Sequence, residues 1–139
     1  MNFFTQLKKR AQENNPVKVG VIGAGKFSSM FLSQARLTPG MQIVGIAELD
    51  TERAFSSLDI TGWGRESAKI ADSAGNINDT AATGKISITE DAMELIKSDC
   101  DVIIELTGNP EVGTYHALQA IESGKHLIMV NVEADCLLG

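Results

Sequence analysis

Three small residues near the N-terminus are spaced to bind a phosphate group. Gly23, Gly25 and Ser28 match a Gly-x-Gly-x-x-Gly turn with serine at its third position. Glycine at the first position permits a tight turn, and glycine at the second lets backbone amides approach a pyrophosphate. Because Ser28 is small, a helix and a strand can still pack closely there. The pattern predicts a dinucleotide site whose phosphate turn contains Gly23, Gly25, Lys26, Phe27 and Ser28.

An acidic residue follows this turn at the distance expected of a ribose ligand. Glu48 lies twenty positions after Ser28 and ends an apolar run over residues 41–47. In dinucleotide-binding folds, an Asp or Glu about 20 residues beyond the turn binds the adenosine ribose hydroxyls. We predict this role for Glu48, whose charge favours NAD over the extra phosphate of NADP. Since Arg53 or Lys26 could offset that repulsion, the cofactor is predicted as NAD(P).

The same residues partly match a second phosphate motif, the P-loop. Gly20, Gly25 and Lys26 fit its glycine and lysine positions. Phe27, however, occupies the position of the Ser or Thr that binds magnesium. Gly20 also falls inside the predicted strand rather than after it. The sequence therefore disfavours hydrolysis of a nucleoside triphosphate.

A second candidate loop follows the apolar residues 102–104. Thr107, Gly108 and Asn109 come at the carboxyl end of this predicted strand, which in a doubly wound sheet faces the same crevice as the glycine turn. One interpretation places these three residues against the nicotinamide half of a dinucleotide. In the other, Asn109 and Pro110 only begin a helix, as a cap and a first residue. The sequence leaves both interpretations open.

Few side chains are candidates for acid–base chemistry. A cofactor performs hydride transfer, so the protein supplies orientation and a proton donor. The two histidines, His116 and His126, fall within a helix and at a strand start, where packing or capping is the favoured role. Glu133 and Asp135 follow the last predicted strand. The catalytic residue is left unassigned with Glu133 as its candidate, and no metal site is predicted.

Alternating strand and helix patterns surround these residues. They predict an α/β fold, a doubly wound parallel sheet of the Rossmann NAD(P)-binding type with an additional N-terminal helix. The amphipathic helix is expected over residues 1–15 and the dinucleotide-binding domain over residues 16–139. Within the less regular excursion of residues 59–85, short helices are expected at 65–71 and 78–82. Trp63 is expected to anchor this excursion against the domain.

The composition limits the class of protein. The chain has 139 residues, of which 43% are hydrophobic, enough for one domain with its own core. A formal charge of -6 disfavours binding to nucleic acid or to an anionic membrane. No apolar run approaches the ~18 residues that span a bilayer, and no signal-peptide core is present, so a cytoplasmic location is expected. Cys100 and Cys136 belong to no disulfide or zinc pattern.

The sequence also suggests that part of a longer enzyme is missing. A dinucleotide-binding domain ordinarily needs a second domain to bind substrate and exclude water. Residues 136–139 look like the start of another element. We therefore expect the substrate and C-terminal domains to be absent from this chain, and the chain alone to be inactive.

Three segments together resemble one family. They are VGVIGAGKFSSMF over residues 19–31, GIAELD over 45–50 and GKHLIMVNVEAD over 124–135. They resemble homoserine-dehydrogenase-like oxidoreductases that carry a C-terminal SAF domain. Within that group the chain is most similar to the 1-deoxy-D-xylulose 5-phosphate reductoisomerase-like enzymes, which make 2-C-methyl-D-erythritol 4-phosphate for isoprenoid synthesis. The resemblance covers nearly all of the chain and the N-terminal half of the family.

The resemblance implies NADPH as cofactor and a divalent cation in the full-length enzyme, and thus favours NADP where Glu48 favours NAD. It also implies a sugar-phosphate substrate and a homo-oligomer. Homoserine dehydrogenases end the corresponding strand in Asn-Lys, whereas this sequence has Val132-Glu133, which counts against homoserine oxidation. Two alternatives stay open. One is an NAD(P)-dependent dehydrogenase of homoserine or a polyol derivative, and the other is a nucleotide-sensing interaction module.

Overall fold

A six-stranded parallel sheet with helices on both faces makes up most of the computed structural model, which describes residues 3–130. The helices are α1 (Phe3–Gln12), α2 (Lys26–Ala35), α3 (Thr51–Ile60), α4 (Ala74–Ala82), α5 (Ala92–Lys97) and α6 (Pro110–Glu122). The strands are β1 (Val17–Ile22), β2 (Met41–Ala47), β3 (Ala68–Ile70), β4 (Ile86–Thr89), β5 (Val102–Glu105) and β6 (His126–Met129).

The order of the strands confirms the doubly wound prediction. Across the sheet it is β3-β4-β2-β1-β5-β6, and every neighbouring pair is parallel. From β1 the chain passes to β2, then to β3 at the edge of the sheet and back to β4 between these two, and it then adds β5 and β6 on the other side of β1. The reversal lies between β1 and β5. In such sheets ligands bind above this switch point, at the carboxyl ends of the strands.

The core explains why the central strands are continuously apolar. Helices cover both faces of the sheet, so strand residues pointing either way are buried. On one face α2 and α3 contribute Leu32 and Leu58 to a cluster that includes Val21 of β1. On the other face α4 and α5 contribute Ile77 and Leu95 to a second cluster. The two clusters bury the central strands beneath the loops.

The N-terminal helix is shorter than the sequence predicts. It was expected over residues 1–15, but in the described chain it ends at Gln12. Asn14 adopts a left-handed conformation with a φ of 53°, and Pro16 disfavours a helical conformation at the residue before it. Leu7 is buried, with its backbone against Gly40. Leu7 therefore anchors α1 to the domain itself.

The prediction for the irregular excursion was partly wrong. Residues 65–71 do not form a helix, because Arg65–Ser67 is a single 3-10 turn and β3 follows it at once. Ala68–Ile70 pairs with β4, and these ladder hydrogen bonds outweigh the weak local helix preference. The second predicted helix, at 78–82, is the end of α4, which begins at Ala74. Trp63 anchors the excursion as predicted, since its indole nitrogen donates to the Leu32 carbonyl at 3.0 Å.

Burial makes Cys100 an unreactive thiol. Its Sγ lies 3.5 Å from the Leu95 carbonyl oxygen, and desolvation raises the pKa of the thiol. The thiolate, which is the nucleophile, is therefore scarcer than in the unfolded chain. We expect iodoacetamide to alkylate Cys100 at least about tenfold more slowly in the native protein than in concentrated urea, as measured by mass spectrometry of its peptide. Equal rates would show that the thiol is accessible. Cys136 lies outside the described residues.

Candidate functional site

A groove crosses the carboxyl-terminal edge of the sheet, between the loops that follow β2, β1 and β5. Its volume is about 720 Å³, comparable to sites that hold small molecules or cofactors. The groove is lined by Ile22, Gly23, Ala24, Gly25, Ala47, Glu48, Leu49, Arg53, Glu90, Asp91, Ala92, Met93, Leu106, Thr107, Asn109, Val112 and His116. It therefore brings the predicted glycine turn, the predicted ribose residue and the second predicted loop into one site.

The glycine turn forms the middle of the groove. Gly23 has a φ of 104°, which L side chains rarely adopt, and a Cβ placed on it would lie 3.0 Å from the backbone carbonyl of Leu106. Glycine is thus required both by the conformation and by the contact with the β5 loop. Gly25 caps α2 without a side-chain hydrogen bond, so the first amides of that helix are left for a ligand. Such a helix end attracts phosphate.

The other predicted residues of the turn offer mainly their backbone. Lys26 and Phe27 begin α2 with exposed side chains, and Phe27 is 61% exposed. Ser28 is fully buried, in agreement with the need for a small residue where α2 packs on the sheet. Its hydroxyl has no hydrogen-bond partner among the described residues. None of these three side chains lines the groove, so any contact they make with phosphate comes from their amides.

Glu48 and Arg53 form a charged pair at one end of the groove. Glu48 follows β2, its side chain is 14% exposed, and its Oε1 lies 3.8 Å from Nη1 of Arg53. Arg53 is held on the first turn of α3, where its amide donates to the capping carboxylate of Asp50. Nη2 of Arg53 lies 3.5 Å from the position of a Cβ on Gly25. A carboxylate for ribose hydroxyls and a cation for phosphate thus stand side by side.

The loop after β5 closes the other end. Asn109 caps α6, accepting a hydrogen bond from the Val112 amide at 3.1 Å, and Pro110 is the first helical residue. The helix-start interpretation of this loop is therefore confirmed. Thr107 and Asn109 also line the groove, whereas Gly108 has a φ of 74° and open space beside it. The loop can contact a ligand while it begins the helix, so the two sequence interpretations are compatible.

A buried carboxylate beneath this loop was missed by the sequence analysis. Glu105 ends β5 with no exposed surface. Its Oε1 accepts hydrogen bonds from both the amide and the hydroxyl of Thr107, and its Oε2 lies 2.6 Å from Nδ1 of His116. One feature of the sequence could have indicated this group, because Glu105 directly follows an apolar strand. A carboxylate that is buried there requires hydrogen-bond partners. His116 thus lines the groove as half of a pair rather than only packing.

The remaining candidates do not join this site. His126 begins β6 with an exposed side chain, and its amide donates to the Asp101 carbonyl. It therefore lies at the amino ends of the strands, away from the groove at their carboxyl ends. Glu133 and Asp135 lie outside the described residues. Within residues 3–130, no group of three His, Cys, Asp or Glu side chains is placed to hold a metal ion. No helix in that range is long and apolar enough to cross a membrane.

The strand order, the glycine turn at the switch point and the acidic residue after β2 define a dinucleotide-binding domain of the Rossmann class. Residues 6–136 match the family described as homoserine dehydrogenase, NAD binding domain. The chain belongs to this family. None of the relatives and structures named below is described as a reductoisomerase or as carrying a SAF domain, so those parts of the resemblance stay predictions.

Two similar proteins are homoserine dehydrogenases. That of Methylobacillus glycogenes is 25% identical over 114 residues, covering 81% of this chain and 23% of the relative. That of Pseudomonas aeruginosa strain PAO1 is 32% identical over 117 residues, covering 84% of this chain and again 23% of the relative. This chain therefore spans about a quarter of the length of these relatives.

Solved structures support the fold. Myo-inositol dehydrogenase from Lactobacillus casei, solved with NAD(H) and myo-inositol, superposes with a TM-score of 0.58 at 18% identity, over 82% of this chain and 28% of that one. The WlbA dehydrogenase from Bordetella pertussis, solved with NADH and UDP-GlcNAcA, gives 0.56 at 12% identity, over 82% and 29% of the two chains. At these identities the likeness concerns the fold alone.

Proposed function

We propose that this chain binds NAD(P) in the groove above the switch point and serves as the cofactor domain of an oxidoreductase. The main support for this proposal is the close approach of Gly23 to the Leu106 carbonyl. Only a glycine allows this approach, which brings the phosphate turn against the β5 loop. Family membership supports the same function independently.

Each part of the groove has a separate task in this proposal. The amides at the start of α2 bind the pyrophosphate, as in other helix-terminus phosphate sites. Glu48 accepts hydrogen bonds from the adenosine ribose hydroxyls, and Arg53 beside it compensates the charge of a phosphate. The β5 loop, with Thr107 and Asn109, contacts the nicotinamide half. The bound cofactor supplies hydride transfer, and this chain binds and orients it.

For the whole protein, we propose a dehydrogenase of a small hydroxy compound, with homoserine or a polyol derivative as the substrate class. The family and both curated relatives support homoserine, and the myo-inositol dehydrogenase shares the fold with this chain. In this proposal the protein acts in the cytoplasm.

A second candidate, the reductoisomerase-like enzyme, draws on a specific feature of the sequence. Val132-Glu133 stands where homoserine dehydrogenases have Asn-Lys. A sugar-phosphate substrate, a divalent cation and a homo-oligomer belong to this candidate. The nucleotide-sensing alternative requires an apolar surface that faces a partner. On α1, Leu7 packs on its own domain, whereas Phe4 is 54% exposed.

Calorimetric titration of the chain with NADH and with NADPH tests the first step of the proposal. We expect one binding site and saturable heat with at least one of the two. Heat from neither at millimolar cofactor would contradict cofactor binding by this chain. The substrate proposal is tested in the protein that carries this domain, by following nicotinamide absorbance with homoserine, myo-inositol or 1-deoxy-D-xylulose 5-phosphate. Turnover of only the last would replace the dehydrogenase proposal by the reductoisomerase one.

A further inference from the structure

The pair formed by Glu105 and His116 fixes the proton on an imidazole that faces the groove. Glu105 is fully buried, and its two oxygens have different partners: Oε1 accepts from Thr107, and Oε2 faces Nδ1 of His116 at 2.6 Å. The His116 side chain is only 12% exposed, and it lines the groove. The imidazole ring of His116 is attached to α6 and contacts the Glu105 carboxylate, so it has little freedom to rotate.

The position of the proton follows from the chemistry of the two groups. Oε1 of Glu105 already accepts two hydrogen bonds from Thr107, and because an ionised carboxylate can only accept, Nδ1 of His116 donates its proton to Oε2. When the ring carries only this proton, Nε2 bears a lone pair, the reverse of the tautomer that free histidine favours. Among residues 3–130, Nε2 makes no hydrogen bond. With that tautomer, Nε2 is an acceptor whose ring is held in place and which has no protein partner in the described part of the chain.

The surroundings of this acceptor indicate what it can bind. Leu106, Val112 and Met93 line the groove together with His116. These apolar side chains suit the faces of an aromatic base, and the Nε2 acceptor in the same groove suits a hydrogen-bond donor on the edge of that base. Both bases of a nicotinamide dinucleotide carry such a donor as an exocyclic amino group, on the adenine and on the carboxamide.

We propose that Nε2 of His116, positioned by Glu105, accepts a hydrogen bond from an exocyclic amino group of the bound dinucleotide. This inference rests on the proposed function. Glu105 acts through His116 and is a positioning residue, whereas His116 contacts the cofactor. Because a protein hydrogen bond is worth about 1 kcal/mol, removing the amino group weakens binding roughly fivefold.

Two cofactor analogues identify the donor in the unmodified protein. Reduced nicotinamide hypoxanthine dinucleotide replaces the adenine amino group by oxygen, and reduced 3-acetylpyridine adenine dinucleotide replaces the carboxamide amino group by methyl. We expect one of the two to bind roughly fivefold more weakly than NADH in calorimetric titrations. The analogue that loses affinity tells whether His116 faces the adenine or the nicotinamide.

A Glu105→Gln substitution separates this role from simple packing. The glutamine has the same shape, but its amide nitrogen donates to Nδ1 and so transfers the ring proton of His116 to Nε2. The preference for NADH over the sensitive analogue is then expected to disappear, although His116 is still present. His126→Phe is the matched histidine control, because His126 lies at the amino ends of the strands, away from the groove. This variant is expected to keep the preference for NADH over the sensitive analogue.

Nitrogen-15 NMR of the histidine rings gives a readout that needs no substitution. We expect a neutral His116 with its proton on Nδ1 in the unmodified protein and on Nε2 in Glu105→Gln. Equal affinity for NADH and both analogues, a proton on Nε2, or a doubly protonated ring would overturn the inference while cofactor binding stands. Failure of both NADH and NADPH to bind would overturn the inference together with the proposed function.

Discussion

Replacing Gly23 with alanine is expected to abolish NADH binding at micromolar concentrations and to lower the free energy of unfolding by at least about 2 kcal/mol. Alanine at a φ of 104° is strained, and its Cβ would lie 3.0 Å from the carbonyl carbon and oxygen of Leu106. Those atoms belong to the backbone that leaves β5, so they cannot move without displacing the loop. A change in the backbone at residue 23 or a displacement of the loop after β5 would shift the amides that we assign to the pyrophosphate.

Gly84→Ala is the matched control for this substitution. Gly84 also has a positive φ, 83°, but no atom lies within 4 Å of a Cβ placed there. Gly84→Ala is expected to lower the free energy of unfolding by about 1 kcal/mol, because of the backbone conformation alone, and to leave cofactor binding unchanged. Urea denaturation and calorimetry measure both quantities. If Gly23→Ala bound NADH as tightly as the unmodified chain, the glycine turn would not be the phosphate site.

A Glu48→Ala substitution is expected to weaken NADH binding about tenfold or more and to leave NADPH binding unchanged or improved. Hydrogen bonds from ribose hydroxyls to a carboxylate are charge-assisted, and their loss is worth about 1.5–3 kcal/mol. In NADP a phosphate replaces one of those hydroxyls, and it is repelled by the carboxylate. Removing Glu48 also frees Arg53, now 3.8 Å from it, to bind that phosphate. Paired titrations with NADH and NADPH at constant ionic strength measure the change.

Two further variants test the assignment of Glu48. Glu52→Ala removes the same charge from the neighbouring helix α3, where Glu52 pairs with Arg65 outside the groove, and is expected to affect the two cofactors equally. Arg53→Ala is expected to weaken NADPH more than NADH. Equal losses of NADH and NADPH in Glu48→Ala would refute the ribose assignment.

The positions that the sequence predicted correctly for its strands, its glycine turn and Glu48 have local causes. The Gly23 turn and Glu48 are separated by one strand-helix-strand unit of nearly constant length, so spacing alone locates them. The buried strands are recognisable because helices on both faces make them continuously apolar.

What the sequence missed depends on partners far along the chain. The local sequence predicts a helix at β3 because nothing in Ala68–Ile70 itself indicates its pairing with β4, which begins sixteen residues after Ile70. Glu105 and His116 are eleven positions apart and meet only because α6 begins directly after the loop and lies against β5. Periodicity can assign each residue to its element, but it cannot predict that their side chains meet.

The short strand β3 has a consequence for solubility. β4 is buried along its whole length and carries isoleucine on alternate positions, so without a neighbour it would be an apolar sheet edge open to strands of other molecules. β3 covers that edge with three residues only, and its central residue is the exposed Lys69. A short strand with a lysine is a poor template for further pairing. The excursion that seemed irregular in the sequence thus protects this side of the sheet from aggregation.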